Sequence, residues 1–134
     1  MRYAADRQIT IVPEIEMPGH ALAALSAYPE YACSFHSSLD LMAGAGISDQ
    51  VYCPKPQTFQ FIKDILTEVV SLFPGEYIHI GGDECPKTSW EQCEDCQALI
   101  RKENLKDEFE LHAYFIQQVE KIAEGLSLIH ISEP

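Results

Sequence analysis

Residues 76–84 read EYIHIGGDE, and their reading decides the fold. Residues 76–80 form a short apolar run rich in strand formers. It ends at Gly81-Gly82, where a strand must stop, and two acids follow. An earlier run, ITIVPEI at 9–15, has the same character and reads as a strand buried on both faces, as parallel sheets require. Pro13 forfeits one ladder hydrogen bond, so pairing should weaken there. MPGH follows as a turn, then a short helix over 21–27, stopped before Pro29.

Between the two runs, residues 29–57 show no period and read as a long connection, which in a compact domain is usually functional or disordered. Residues 58–73 place Phe59, Ile62, Leu66, Val69 and Phe73 on one helical face, with Pro74-Gly75 as the stop. Thr88 with Glu91 resembles a capping box opening a helix over about 89–102. Asp107 with Glu110 repeats that signal before a helix over 108–124. There Phe109, His112, Phe115, Ile116, Val119 and Ile122 share a face and Gly125 is a plausible cap. Strand, loop, helix, strand, loop, helix, helix is the order of an α/β protein with parallel strands and right-handed crossovers.

The chain has 134 residues, 46% of them hydrophobic, enough for a core. Its formal net charge is −12, from 21 acidic and 9 basic residues. That argues against nucleic acid and anionic membranes as partners, which select Lys/Arg clusters. No stretch has the length of a membrane span, and the polar start lacks the apolar centre of a signal segment.

Both strand ends carry titratable groups: Glu14, Glu16 and His20 on the first, His79, Asp83 and Glu84 on the second. Parallel α/β folds build their sites on the carboxyl ends of strands. Taken singly, each residue has a bland reading: a solvated acid pair, a satisfied buried acid, a hydrogen-bonded core histidine. Their coincidence on two strand ends favours a functional edge. By alternation Glu14 and Glu16 share a direction, and the adjacent Asp83 and Glu84 should diverge.

HIGGDE at 79–84 and PEIEMPGHA at 13–21, in that order and separated by a loop and one amphipathic helix, resemble the two strand-end motifs of family 20 β-N-acetylhexosaminidases. The resemblance covers residues 1–124. It implies a partial (β/α)8 TIM barrel, with the strands near 9–15 and 76–81 as its third and fourth. A complete barrel takes about 250 residues. It also implies hydrolysis of terminal N-acetyl-β-hexosaminides with retention, assisted by the substrate's own acetamido group, and no cofactor or catalytic metal. The partners it implies are glycans ending in N-acetylglucosamine or N-acetylgalactosamine, and the location periplasmic, extracellular or lysosomal.

On this resemblance Glu84 is the general acid and base, and Asp83 orients the acetamido N–H. His20 holds Glu84 and Glu16 fixes the imidazole. His79 takes no chemical step, and Trp90 stands where relatives often have a substrate-contacting Trp. Many relatives carry Asp where Glu16 stands. The family's sugar-gripping Arg is expected upstream of Met1, and its pocket Trp and Tyr residues downstream of Pro134. The isolated fragment is therefore expected to be inactive. Residues 125–134, GLSLIHISEP, depart from the family and resemble translated adapter or vector sequence; a natural edge strand over SLIHI is the alternative.

Two other readings stay open on residues alone. One is a metal-dependent hydrolase using Glu14, Glu16, His20, His79 and Asp83 as ligands, although no H-x-H or H-E-x-x-H spacing is present. The other is a non-catalytic sugar-binding fragment. The five cysteines raise a separate question. Cys93 and Cys96 have zinc-ligand spacing, with Cys85 as a candidate third ligand and no evident fourth. Free thiols or a local disulfide are the alternatives. Cys33 and Cys53 bracket the long connection, and a bridge between them would restrain it in an exported protein.

Overall fold

The structure is a computed structural model describing residues 1–33 and 46–132. The helices are α1 (Arg2–Ala5), α2 (Leu22–Ala27), α3 (Pro56–Leu72), α4 (Thr88–Gln92), α5 (Glu94–Lys102) and α6 (Glu108–Gly125). A 3-10 turn spans Pro29–Tyr31, and the strands are β1 (Tyr77–His79) and β2 (Ile129–Ile131). The connection expected over 29–57 is described at its two ends. Its residues 34–45 lie outside the described residues.

β1 and β2 pair in parallel, with Ile78 opposite His130. On the other edge of β1, Glu14 forms a single parallel bridge with His79. The Ile15 N–H donates to the His79 carbonyl and the His79 N–H to the Pro13 carbonyl, both at 2.9 Å. The expected strand over 9–15 is thus reduced to one bridge. Pro13 has no N–H to extend the ladder, and Ile9 and Val12 are exposed rather than buried. Three parallel segments nevertheless lie side by side, and the helix-rich α/β architecture is the expected one.

Within the tail, β2 is joined to β1 by the Ile129 N–H donating to the Glu76 carbonyl and the Ile80 N–H to that of Ile131, both at 2.8 Å. Such pairing needs only backbone groups and β-branched side chains, so it asks for no family-specific sequence. His130 Nε2 meets Glu120 Oε1 at 3.0 Å and ties β2 to α6.

α3 packs on α6. Ile62 and Leu66 of α3 and Phe115, Val119 and Ala123 of α6 are buried together with Ile78 and Ile80, and the Phe59 and Phe115 rings are 5.2 Å apart. The buried stripe of α6 is Leu111, Phe115, Val119 and Ala123. It is rotated from the expected face, and Phe109 is left exposed. A small alanine at 123 lets the helix approach the strands closely, which hydropathy alone does not reveal.

The helix expected over 89–102 breaks at Cys93, whose backbone is extended (φ −89°, ψ 117°). Lys87, not Thr88, occupies the cap position of α4, without a side-chain cap. Asp107 does cap α6, accepting from the Phe109 and Glu110 N–H groups. Glu110, however, accepts from the Lys106 N–H rather than that of Asp107.

Candidate active site

Two turns build the site. After Glu16 the chain crosses the cis Met17–Pro18 bond and Gly19 to His20, whose φ is 50°. After β1 it passes Gly81 and Gly82, at φ 69° and 115°, to Glu84 at φ 41°. His20 and Glu84 are therefore both non-glycine residues in the left-handed region, a conformation that concentrates at functional sites. The turns touch: a Cβ at Gly19 would lie 3.2 Å from Cys85 Cα and 3.3 Å from the Asp83 carbonyl oxygen. Only a glycine lets the two backbones come this close without one giving way.

The outcome is a convergence on His20. Its Nε2 lies 3.3 Å from Glu84 Oε2 and 3.8 Å from Asp83 Oδ1. Asp83 and Glu84 do not diverge as strand alternation implied. β1 ends at His79, and the positive φ values beyond it fold both carboxylates toward one imidazole. Glu84 remains open, with 55% of its side chain exposed. Asp83 Oδ1 is enclosed and has no hydrogen-bond partner among the described residues.

Glu16 takes a different place from the one expected. Its Oε1 accepts from the Gly82 N–H at 3.2 Å, so it braces the glycine turn that carries the acids. Burial pushes the Glu16 carboxyl above its ordinary value. The Gly82 hydrogen bond opposes this, and the charges of Asp83 and Glu14 add to it. His79 Nδ1 sits 3.2 Å from the Gly81 N–H and 3.3 Å from Glu14 Oε1. It supports the same turn from below.

The five-residue ligand set of the metal-hydrolase reading is split between these places: Glu14 with His79, Glu16 on Gly82, His20 with Asp83. Among the described residues, His20, Asp83 and Glu84 are the groups of this edge whose donor atoms all lie within 4.8 Å of one another.

Trp90 is fully buried. Its Nε1–H donates to the Tyr52 carbonyl at 3.0 Å, and its ring faces His112 edge-on and Phe115 at a tilt. Additional chain could only deepen this burial. Trp90 therefore packs in the core beneath the site, whereas the sequence placed it as a substrate contact.

Sequence reasoning also missed Lys87 and His112. Lys87 Nζ donates to the Cys85 carbonyl at 2.6 Å and lies 3.1 Å from His112 Nδ1. Burial, then the Lys87 charge, holds His112 down to about 4. An isolated histidine on an amphipathic helix carries no signal for this pairing.

All five cysteines are free thiols. Among the described residues Cys33 and Cys53, which would be bridged in the exported-protein reading, are not joined to each other, and Cys85 stands apart with its Sγ on the Pro86 carbonyl at 3.8 Å. Burial pushes the Cys85 thiol up to about 11.

Residues 1–129 match the model of the glycosyl hydrolase family 20 catalytic domain. A beta-hexosaminidase of Porphyromonas gingivalis is 53% identical over 92% of this chain and 16% of its own length. One from Akkermansia muciniphila is 36% identical over 92% of this chain and 25% of its own length. The chain thus spans between a sixth and a quarter of these relatives. A beta-N-acetylhexosaminidase crystal structure superposes with a TM-score of 0.93 at 32% identity, covering 99% of this chain and 29% of that one. The Vibrio harveyi GH20 exo beta-N-acetylglucosaminidase bound to N-acetylglucosamine does so at 0.84 and 32% identity, over 98% and 21%. The two-turn edge on which Glu84, Asp83 and His20 meet thus belongs to a chain that is a member of glycosyl hydrolase family 20, a segment of its catalytic domain.

Proposed function

We propose that the full-length protein hydrolyses terminal, non-reducing N-acetyl-β-hexosaminides with retention, and that Asp83 and Glu84 carry the chemistry. The observation that carries this reading is the approach of Glu84 and Asp83 to one imidazole, His20, at the strand-end edge of a family 20 chain. Two carboxylates on adjacent residues cannot flank a glycosidic bond from opposite faces, as an ordinary retaining pair must. The nucleophile is instead the substrate's acetamido oxygen, which attacks the anomeric carbon.

Glu84 gives its proton to the leaving oxygen. Asp83 accepts the acetamido N–H and stabilises the positive charge that grows on the ring-closed oxazolinium ion. Glu84, now a base, takes a proton from the water that opens that ion from the opposite face, which gives retention. His20 positions Glu84. The names of the relatives, and the N-acetylglucosamine bound in the Vibrio harveyi structure, support an N-acetylhexosamine-terminated glycan as substrate. On this reading the chain alone lacks activity, because it spans only 16% and 25% of the beta-hexosaminidases it matches.

The test compares leaving groups in the full-length enzyme. General acid catalysis is worth about 10²- to 10⁴-fold. Glu84→Gln should lose about that much kcat/KM on a natural disaccharide and far less on an aryl glycoside with an acidic phenol. Asp83→Asn should lose similarly on both, because acetamido attack is needed whatever departs. Equal leaving-group dependence in the two variants, or equal turnover of a plain glucoside, overturns the reading.

A further inference from the structure

We propose that Cys33, Cys53, Cys93 and Cys96 form a structural tetrathiolate zinc site that staples the two loops of the catalytic edge together. The four thiols are buried, and their sulfurs all lie within 4.8 Å of one another. Cys33–Cys96, Cys53–Cys96 and Cys53–Cys93 are separated by 3.7, 3.6 and 3.9 Å. A tetrahedral ion with Zn–S bonds of about 2.3 Å sets its ligand sulfurs about 3.8 Å apart. A disulfide needs about 2.05 Å, well short of every one of these separations, and their near-equal spacing is that of ligands sharing one ion.

The backbone is arranged to present these ligands. An antiparallel bridge between Ala32 and Tyr52 holds Cys33 and Cys53 side by side, and the Cys53 N–H donates to the Tyr31 carbonyl at 2.9 Å. The break that splits the expected 89–102 helix places Cys93 at the cap of α5 and Cys96 in its first turn. The helix N-terminus there favours thiolates.

Binding releases four thiol protons and leaves a complex of net charge −2. Lys55, whose charge acts on Cys53, is held beside the cluster: its Nζ donates to the Ala32 carbonyl at 3.3 Å and lies 3.9 Å from Asp95 Oδ2. Val51, Trp90, Ile100 and Leu111 complete an apolar shell around the sulfurs. Cys33 and Cys53 belong to the connection that follows Glu16 and His20, and Cys93 and Cys96 to the one that follows Asp83 and Glu84. The ion would therefore lock together the two turns that meet at His20. Cys85 is outside the cluster and has no part in it.

The test uses the full-length protein purified under reducing, metal-replete conditions. Elemental analysis should find about one zinc per chain, resistant to dialysis and released by a thiol-modifying mercurial. Cys93→Ser/Cys96→Ser should abolish that zinc, whereas Cys85→Ser should retain it. Should the double variant fold poorly, cobalt exchange into the unaltered protein still decides. Tetrathiolate Co²⁺ gives intense tetrahedral bands in the red and thiolate charge transfer in the near ultraviolet. Absence of these bands, four titratable thiols without metal, a mass lowered by two disulfides, or iron in place of zinc each overturns the proposal.

Discussion

Replacing Gly81 by alanine sets a methyl group against Glu16. A Cβ at Gly81 would lie 1.7 Å from Glu16 Oε1, 2.6 Å from its Cδ and 3.1 Å from its Cα, at a φ of +69°. Ordinary contact begins near about 3.5 Å, so the carboxylate must leave. It then gives up the Gly82 hydrogen bond at 3.2 Å, and a bond to a charged group is worth about 1.5–3 kcal/mol. The left-handed backbone adds about 1–2 kcal/mol for any residue with a Cβ. Gly81→Ala should therefore destabilise the catalytic domain by about 2.5–5 kcal/mol. In a Glu16→Ala background the carboxylate is already gone, and the same change should cost only the backbone part, about 1–2 kcal/mol. The assay is urea denaturation of the four proteins of this double-mutant cycle, each in the complete catalytic domain, with kcat/KM measured alongside. A Gly81→Ala penalty of equal size in both backgrounds would refute the idea that Glu16 braces this turn through the space the glycine leaves.

Trp90→Phe should lower stability by about 1–3 kcal/mol, because the Tyr52 carbonyl loses its buried donor; KM should stay unchanged, and a raised KM with intact stability would show a substrate contact instead. His112 titrates near 4 in the folded protein, against an ordinary value of 6.5. Its folded value is depressed, so the stability it confers is present above 6.5 and drains away as pH falls toward 4. His112→Phe should flatten that part of the melting-temperature profile, and an unaltered acid limb would count against it. Asp107→Ala removes the cap of α6 and should cost about 1 kcal/mol, read as a lower denaturation midpoint.

Periodicity and punctuation were enough to locate α3, β1 and α6, because Pro74-Gly75 and Asp107 act on the chain locally. The two strand-end motifs placed the acids on one edge for the same reason: a parallel order and strand-ending glycines are properties of neighbouring residues. What hydropathy could not say was how far each side chain ends up from the others. Asp83 and Glu84 turn to one imidazole only because Gly81, Gly82 and Glu84 leave the strand conformation, which alternation does not anticipate. Trp90 sits in the core because α6 and Tyr52 close over it, a matter of packing between segments distant in sequence.

The cysteines mark the division most sharply. The Cys93–Cys96 spacing was legible as half of a ligand set. The other half, Cys33 and Cys53, is set by an antiparallel bridge in the long connection, while the nearby Cys85 points elsewhere. Spacing along a chain governs which ligands one turn can offer. Only the tertiary structure brings two turns to the same point, because that meeting depends on long-range packing and not on local backbone preference.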